Sequence, residues 1–251
     1  MAIEFLDVVK TFGTRTVLSG ITMRVERGEI LMVVGTSGVG KSVTIKHIIG
    51  LLSPTSGEIR VDGVLVNGLS EKAFFGIRRQ VAMVFQASSL FDSLDVLQNV
   101  MLPLRKVARV SEKAARSRAL ELLAEVGMSD WIHAYPAEIG DGMKKRVAIA
   151  RALTLKPNYV LFDEPTTGLD PVSARRVDQL IAGLAAQHNV GCIVVSHDLQ
   201  SIFSIGQRIA MVYQGRIYLE GSAAEFAASQ DPIIRQFFSG SSTGPMETPG
   251  F

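Results

Sequence analysis

The chain has 251 residues, 47% of them apolar, and a net charge of +2. That length suits one large domain or two small ones with a sizeable core, and so slight a charge argues against the broad basic surface of a nucleic-acid binder. One cysteine excludes a disulfide framework, no apolar run approaches the roughly 20 residues of a membrane helix, and residues 1–20 carry no secretory pattern; the expectation is a cytoplasmic protein that meets a membrane only through a partner.

Residues 3–34 read as strands. Glu4–Val8 and Ile21–Val25 alternate with period two, separated from the next apolar run by the turn Arg27-Gly28-Glu29. Phe12 lies in the turn-like Lys10–Gly13, where packing is its default role. The run Leu31–Val34 leads into Gly35, Thr36, Ser37, Gly38, Val39, Gly40, Lys41, Ser42 and Val43. This is the spacing G-x-x-x-x-G-K-S of a phosphate-binding loop. Glycines let backbone N–H groups curl inward, and the helix over 41–50 presents its positive end to an anion. Lys41 suits the β- and γ-phosphates and the Ser42 hydroxyl suits Mg²⁺; the plain alternative is a flexible loop with a surface lysine.

Pro54 with Gly57 reads as a break, Glu58–Asp62 as a strand ending at Gly63, Ser70 as a helix start, and Val81–Phe85 as a buried strand followed at once by Gln86. From 87 to about 150 helical patterns take over. Ser111 suits an N-cap, Ala119, Leu122, Leu123 and Val126 form a stripe, and Gly127 suits the C′ position. A second helix is expected from Asp141 to Thr154. Strands resume at Tyr159–Phe162, which ends in Asp163-Glu164-Pro165, and at Cys192–Val195, which ends in Ser196-His197-Asp198. Between them Asp170 caps a helix with Pro171 at its first position. Arg208–Glu220 reads as a hairpin turning at Gln214-Gly215. The Ser-, Gly-, Thr- and Pro-rich tail from about 239 is expected to be flexible or partner-dependent.

Gly35, Gln86, Asp163, Glu164 and His197 each follow an apolar run. In an open parallel sheet ligands bind beyond the carboxyl ends of the strands, so these residues are expected to gather around phosphates held by Lys41. Asp163 suits Mg²⁺ held through water, Glu164 suits the orientation or deprotonation of an attacking water, Gln86 suits the metal or that water, and His197 suits the γ-phosphate. Singly, an Asp-Glu-Pro loop start, a glutamine or a histidine after a strand is as often structural; the set gives each its weight.

With these residues assembled, the chain resembles the nucleotide-binding subunits of ATP-binding cassette (ABC) transporters over nearly all of residues 3–221. Gly35–Ser42 resembles Walker A, Gln86 the Q-loop, Val160–Glu164 Walker B, Gly168–Asp170 the D-loop and His197 the switch histidine; Phe12 falls where that family stacks a ring on adenine. The resemblance implies an α/β fold: a RecA-like P-loop NTPase core with an antiparallel β subdomain (1–86 and 151–222), an inserted helical signature subdomain (87–150) and a C-terminal extension (223–251). It implies ATP and Mg²⁺ as cofactors, with Glu164, His197 and Gln86 catalytic, Ser42, Gln86 and Asp163 at the metal, and Asp170 in the D-loop.

Phe85–Leu94, Asn99-Val100, Pro103–Arg105, Gly142–Arg146, Ser196–Asp198, Asp231-Pro232 and Arg235–Phe237 further resemble the Mla-type ATPases of bacterial phospholipid trafficking, which work with MCE proteins. The partners then implied are a second copy of the chain, a multispanning permease, a periplasmic MCE-domain protein and a small regulatory subunit, with attachment to the cytoplasmic face of the inner membrane through the permease. One segment departs from the family pattern. The signature, Leu-Ser-Gly-Gly-Gln or -Met, stands here as Ile139-Gly140-Asp141-Gly142-Met143, where Gly140, Asp141 and Gly142 would face ATP on the opposite subunit. Slow hydrolysis by the isolated chain is therefore expected. The rival readings are an importer ATPase for a polar solute, a slowly hydrolysing ATP-sensing subunit, and a soluble ABC protein of translation or DNA repair; the last usually has two cassettes or a coiled coil, and neither is seen here.

Overall fold

Period-two alternation builds the first layer of the computed structural model, which describes residues 1–246. β1 (Ala2–Phe12) pairs antiparallel with β2 (Arg15–Glu26); β3 (Ile30–Val34) leaves for a second sheet; β4 (Ser56–Val61) returns to the free side of β1, and β5 (Val64–Leu65) pairs with β4. Ile3, Phe5 and Val8 are fully buried. Strict alternation would put Phe5 and Val8 on opposite faces. The register shifts between them, at Asp7 with φ 49°, and this bulge turns both inward. Gly57, read above as a chain break, instead lies inside β4 with φ +81°, because a Cβ there would strike the Asp7 carbonyl.

The second sheet has the order β10-β9-β3-β8-β7-β6. β6 (Val81–Val84), β7 (Tyr159–Asp163), β8 (Gly191–Val195), β3 and β9 (Arg208–Tyr213) are parallel, and β10 (Arg216–Gly221) closes one edge as an antiparallel hairpin with β9. The central strands read as unbroken apolar runs because both faces are covered. Leu31, Val33, Leu161 and Ile193 face the antiparallel sheet with α1 (Lys41–Ile48), whereas Met32, Val34, Phe162 and Val194 face the helical side. The first helix ends at Ile48, two residues before the expected limit.

Between β6 and β7 the chain is helical apart from its turns: α2 (Glu71–Gln80) precedes β6, then come α3 (Val96–Pro103), a π-helical turn over 104–108, α4 (Glu112–Glu125) and α5 (Asp141–Leu153). Ser111 accepts the Ala114 N–H, Asp95 and Gln98 form a reciprocal capping box, and Gly127 takes φ +66° at the end of α4. α5 buries Val147, Ala148, Ile149, Ala150 and Leu153 between α3, α4 and the sheet. Each large apolar side chain so buried contributes about 1.5–3 kcal/mol.

α6 (Pro171–His188) and α7 (Leu199–Ile205) cover the same face, and α8 (Ala223–Ala228) and α9 (Pro232–Ser239) follow β10. The tail from about 239, expected to be flexible or partner-dependent, is described as far as Met246. After Gly240 the chain turns back, the Met246 N–H donates to Gln236 Oε1 at 2.7 Å, and the Met246 side chain is buried; residues 247–251 lie outside the described residues. No helix among the described residues is long and apolar enough to cross a membrane.

Candidate functional site

The carboxyl ends of β3, β6, β7 and β8 open onto one cleft of about 640 Å³. Its lining holds Gly35–Gly38, Gly40–Val43, Gln86, Glu164 and His197, together with Arg15, Val17 and Phe237. Parallel strands with all their exits on one side bring together residues more than 150 positions apart.

The loop after β3 is held from within. Gly40 takes φ +105° at the N-cap of α1, and a Cβ there would lie 2.6 Å from Leu18 Cδ2; only glycine fits. Lys41 is buried, and its Nζ donates to the carbonyls of Gly35 and Thr36, both at 2.9 Å. Burial pulls this ammonium below its ordinary pKa, opposed by the carboxylates of Glu164 and Asp163. Val39 packs inward on the apolar cluster rather than into the cleft.

Ser42 Oγ donates to Asp163 Oδ1 at 2.5 Å, joining the start of α1 to the end of β7. Asp163 is buried. The next residue, Glu164, has φ +51°, a left-handed conformation that costs a non-glycine residue about 1–3 kcal/mol. Its N–H donates to the Val195 carbonyl at 3.0 Å, Thr167 Oγ1 donates to its Oε2 at 3.1 Å, and His197 Nδ1 lies 2.8 Å from the same oxygen. Gln86 is exposed, with its side chain at the cleft and its carbonyl accepting from Lys145 Nζ.

Phe12 stands outside the cleft lining. It pairs with Arg15 across the β1–β2 turn, is 44% exposed, and has Lys10 Nζ 4.8 Å from its ring centroid. Gly140, Asp141, Gly142 and Asp170 line a second cleft, of about 440 Å³, with Arg146 and Arg176. Asp170 caps α6 by accepting from the N–H groups of Val172 and Ser173, both at 3.0 Å; Ser173, first by its side chain and then by its backbone, holds this carboxyl below its usual range. Gly140 is the N-cap of α5 without any side-chain cap, and Asp141 Oδ1 accepts from Lys144 Nζ at 3.2 Å.

Sequence reasoning passed over several positioning residues. Lys145 is buried, and its donation to the Gln86 carbonyl ties α5 to the strand-β6 exit. Arg151 donates to the carbonyls of Ser89 at 2.8 Å and Ser88 at 3.0 Å, two residues with positive φ. The available signal was a lysine at 145 on the helical stripe shared with Ala148 and Ile149. Thr167 was legible as the residue three after Glu164. Phe237 stood out in the sequence only within the Arg235–Phe237 resemblance, which says nothing of the cleft; the tertiary docking of α9 brings it there.

Residues 18–167 match the ABC transporter family. Over 244 residues the chain is 34% identical to the intermembrane phospholipid transport system ATP-binding protein MlaF of Escherichia coli K12, covering 97% of this chain and 91% of that protein. Over 246 residues it is 34% identical to the probable ribonucleotide transport ATP-binding protein mkl of Mycobacterium tuberculosis H37Rv, covering 98% of this chain and 68% of that protein. Among solved structures it is similar to the dimeric post-hydrolysis state of the ATP-binding cassette MJ0796 bound to ADP and Pi, with a TM-score of 0.80, 32% identity, and coverage of 88% of this chain and 98% of that one.

Proposed function

The chain belongs to the ABC transporter family as an ATP-binding, ATP-hydrolysing subunit, and from that premise we propose that it drives phospholipid transport between membranes as a dimer docked on a permease. The observation that supports the catalytic part is the Ser42–Asp163 hydrogen bond of 2.5 Å, which joins a hydroxyl and a carboxylate suited to Mg²⁺, one next in sequence to Lys41 and the other to Glu164. Lys41 and the loop N–H groups bind the phosphates. Glu164, with Oε2 held by Thr167 and His197, orients the attacking water and accepts its proton. His197 reaches the γ-phosphate from the end of β8.

The donors fit Mg²⁺. The Ser42 hydroxyl, the Asp163 carboxylate and the Gln86 amide are hard oxygen ligands, few in number, as suits a cation that keeps waters and shares phosphate oxygens. When bound, the cation neutralises charge on the phosphates. Ser42 and Gln86 would touch it directly and Asp163 through water.

Support for phospholipid comes from the likeness to MlaF over 97% of the chain. The reading extends to a multispanning permease that holds the dimer on the cytoplasmic face of the membrane, an MCE-domain protein beyond it and a small regulatory subunit. It also assigns 87–150 to the signature subdomain, Gly140–Gly142 and Asp170 to the dimer face, and Phe12 to the base. The test is purification of a tagged full-length chain from its own membranes, with the bound proteins and lipids identified. A permease accompanied by phospholipid is expected; a permease accompanied by a polar-solute receptor and no enriched lipid overturns the lipid assignment and favours the importer reading.

A second reading has its own support. Gly140 offers no hydroxyl and Asp141 adds a carboxylate at the signature, which suits a subunit that binds ATP and hydrolyses it slowly.

A further inference from the structure

The lining of the nucleotide cleft divides into two chemistries. Residues 35–43, Gln86, Glu164 and His197 supply backbone N–H groups, an ammonium, an amide, a carboxylate and an imidazole, which suit a phosphate chain. Arg15, Val17 and Phe237 supply a guanidinium, a branched apolar side chain and an aromatic ring. A flat, weakly polar base packs on such surfaces.

Resting on the reading of this cleft as an ATP site, we infer that Phe237 is an aromatic surface for the nucleotide base, contributed by the C-terminal helix of the same chain. Phe237 is half-buried in the cleft wall. Its neighbour Phe238, about 100° away around the helix, points into an aromatic cluster: its ring centroid lies 5.1 Å from Phe203 of α7 and 5.3 Å from Phe226 of α8. Phe237 meets Phe238 edge-on at 5.2 Å. The ring in the cleft is thus braced by rings that are themselves packed.

The helix that carries it is fixed at both ends. At its start Asp231 Oδ1 accepts the N–H groups of Ile233 at 2.8 Å and Ile234 at 3.2 Å, while Tyr218 on β10 donates to Asp231 Oδ2 at 2.8 Å. At its end Gln236 accepts the Met246 N–H. The anchor Phe203 belongs to α7, whose first residue, Leu199, comes two after His197. The position of the ring is therefore tied to the strand exit that carries the γ-phosphate contact.

The test separates base from phosphate. The full-length chain and its variants are titrated calorimetrically, in MgCl₂, with ATP and with inorganic tripolyphosphate, which has the phosphate chain and no base. Phe237→Ala and the volume-keeping Phe237→Leu should each weaken ATP binding about tenfold, the scale of one base–aromatic stack, and leave tripolyphosphate binding within about twofold. Phe237→Tyr keeps the ring and should keep both affinities. Unchanged tripolyphosphate binding also reports an intact phosphate loop. GTP should lose as much as ATP, because every base offers a π face. Equal losses for ATP and tripolyphosphate would mean that the ring only supports the loop, and no loss for either would mean that it faces no ligand; both overturn the inference while the ATP site stands. A parent chain that binds neither compound removes the ATP-site reading itself, and the inference with it.

Discussion

His197 Nδ1 lies 2.8 Å from Glu164 Oε2, although the two residues leave different strands. Thr167 Oγ1 donates to the same oxygen at 3.1 Å, and the backbone of Glu164 is fixed by its bond to the Val195 carbonyl. A carboxylate held so firmly suits proton acceptance from a positioned water. Glu164→Gln preserves the shape and removes the proton acceptor, so it should keep ATP affinity and lower turnover by at least ~100-fold. Steady-state phosphate release and equilibrium binding, measured together, check this. Normal phosphate release from the variant would remove Glu164 from the mechanism and leave the binding site standing.

Lys41 bonds to two loop carbonyls within its own chain. Lys41→Ala deletes a buried cation and should weaken ATP binding by about 1.5–3 kcal/mol, the worth of a hydrogen bond to a charged group. The same variant frees the Gly35 and Thr36 carbonyls, so a small fall in melting temperature should accompany it. Unaltered affinity in an equilibrium assay would contradict the phosphate-loop assignment.

Asp178 gives the chain a pH dependence away from the cleft. It is buried on α6, its Oδ2 lies 3.0 Å from Arg175 and accepts from Ser201 Oγ at 3.0 Å, and its Oδ1 has no partner among the described residues. Asp198 shares both Arg175 and Ser201. Burial pushes the Asp178 carboxyl up to about 6, against the Ser201 hydrogen bond and the Arg175 charge. The folded state thus binds this proton more tightly than the unfolded chain. The resulting stability is fully present below about pH 4 and is lost as pH rises through about 6, by at most ~3 kcal/mol for a shift of about two units. Asp178→Asn should flatten that slope. Urea unfolding across this range checks it, and a difference between parent and variant that stays constant with pH would show that Asp178 does not titrate there.

The residues legible in the sequence are those whose roles are local. Lys41 and Ser42 follow from the spacing of one loop, and Asp163, Glu164 and His197 from their place at the ends of apolar runs. Their convergence needed only the exit rule for parallel strands. Lys145 showed only as a lysine on an apolar helical stripe; its partner, and the partners of Arg151 and Phe237, were hidden because each acts on an element distant in sequence, across a docking that periodicity does not encode. The bulge at Asp7 was hidden for a related reason. Its left-handed backbone fits Gly57 on β4, and one strand read alone does not reveal the partner's register.

The signature segment carries the last prediction. An aspartate at the start of a helix is often occupied in capping it, which would hide its charge. Instead the N–H groups of Met143 and Lys144 donate to the Gly140 carbonyl, at 2.9 and 3.0 Å, and among the described residues the Asp141 carboxylate is held only by Lys144 Nζ, at 3.2 Å. Its side chain is 73% exposed, so this pair contributes at most ~1 kcal/mol and yields readily. A carboxylate ~4 Å from a phosphate charge on an apposed subunit is opposed by about 4 kcal/mol at an effective dielectric of 20, before Lys144 and the cation offset it. A Cβ at Gly140 would meet nothing within 4 Å, so a serine fits there and restores a hydroxyl donor. The double variant Gly140→Ser with Asp141→Gly should therefore dimerise more readily with ATP and hydrolyse it several-fold faster than the parent. Steady-state ATPase at saturating MgATP, for the isolated chain and for its membrane complex, checks this. A variant no faster than the parent in both settings would show that Asp141 points away from the transferred phosphate in the working dimer, and the charge argument would fail.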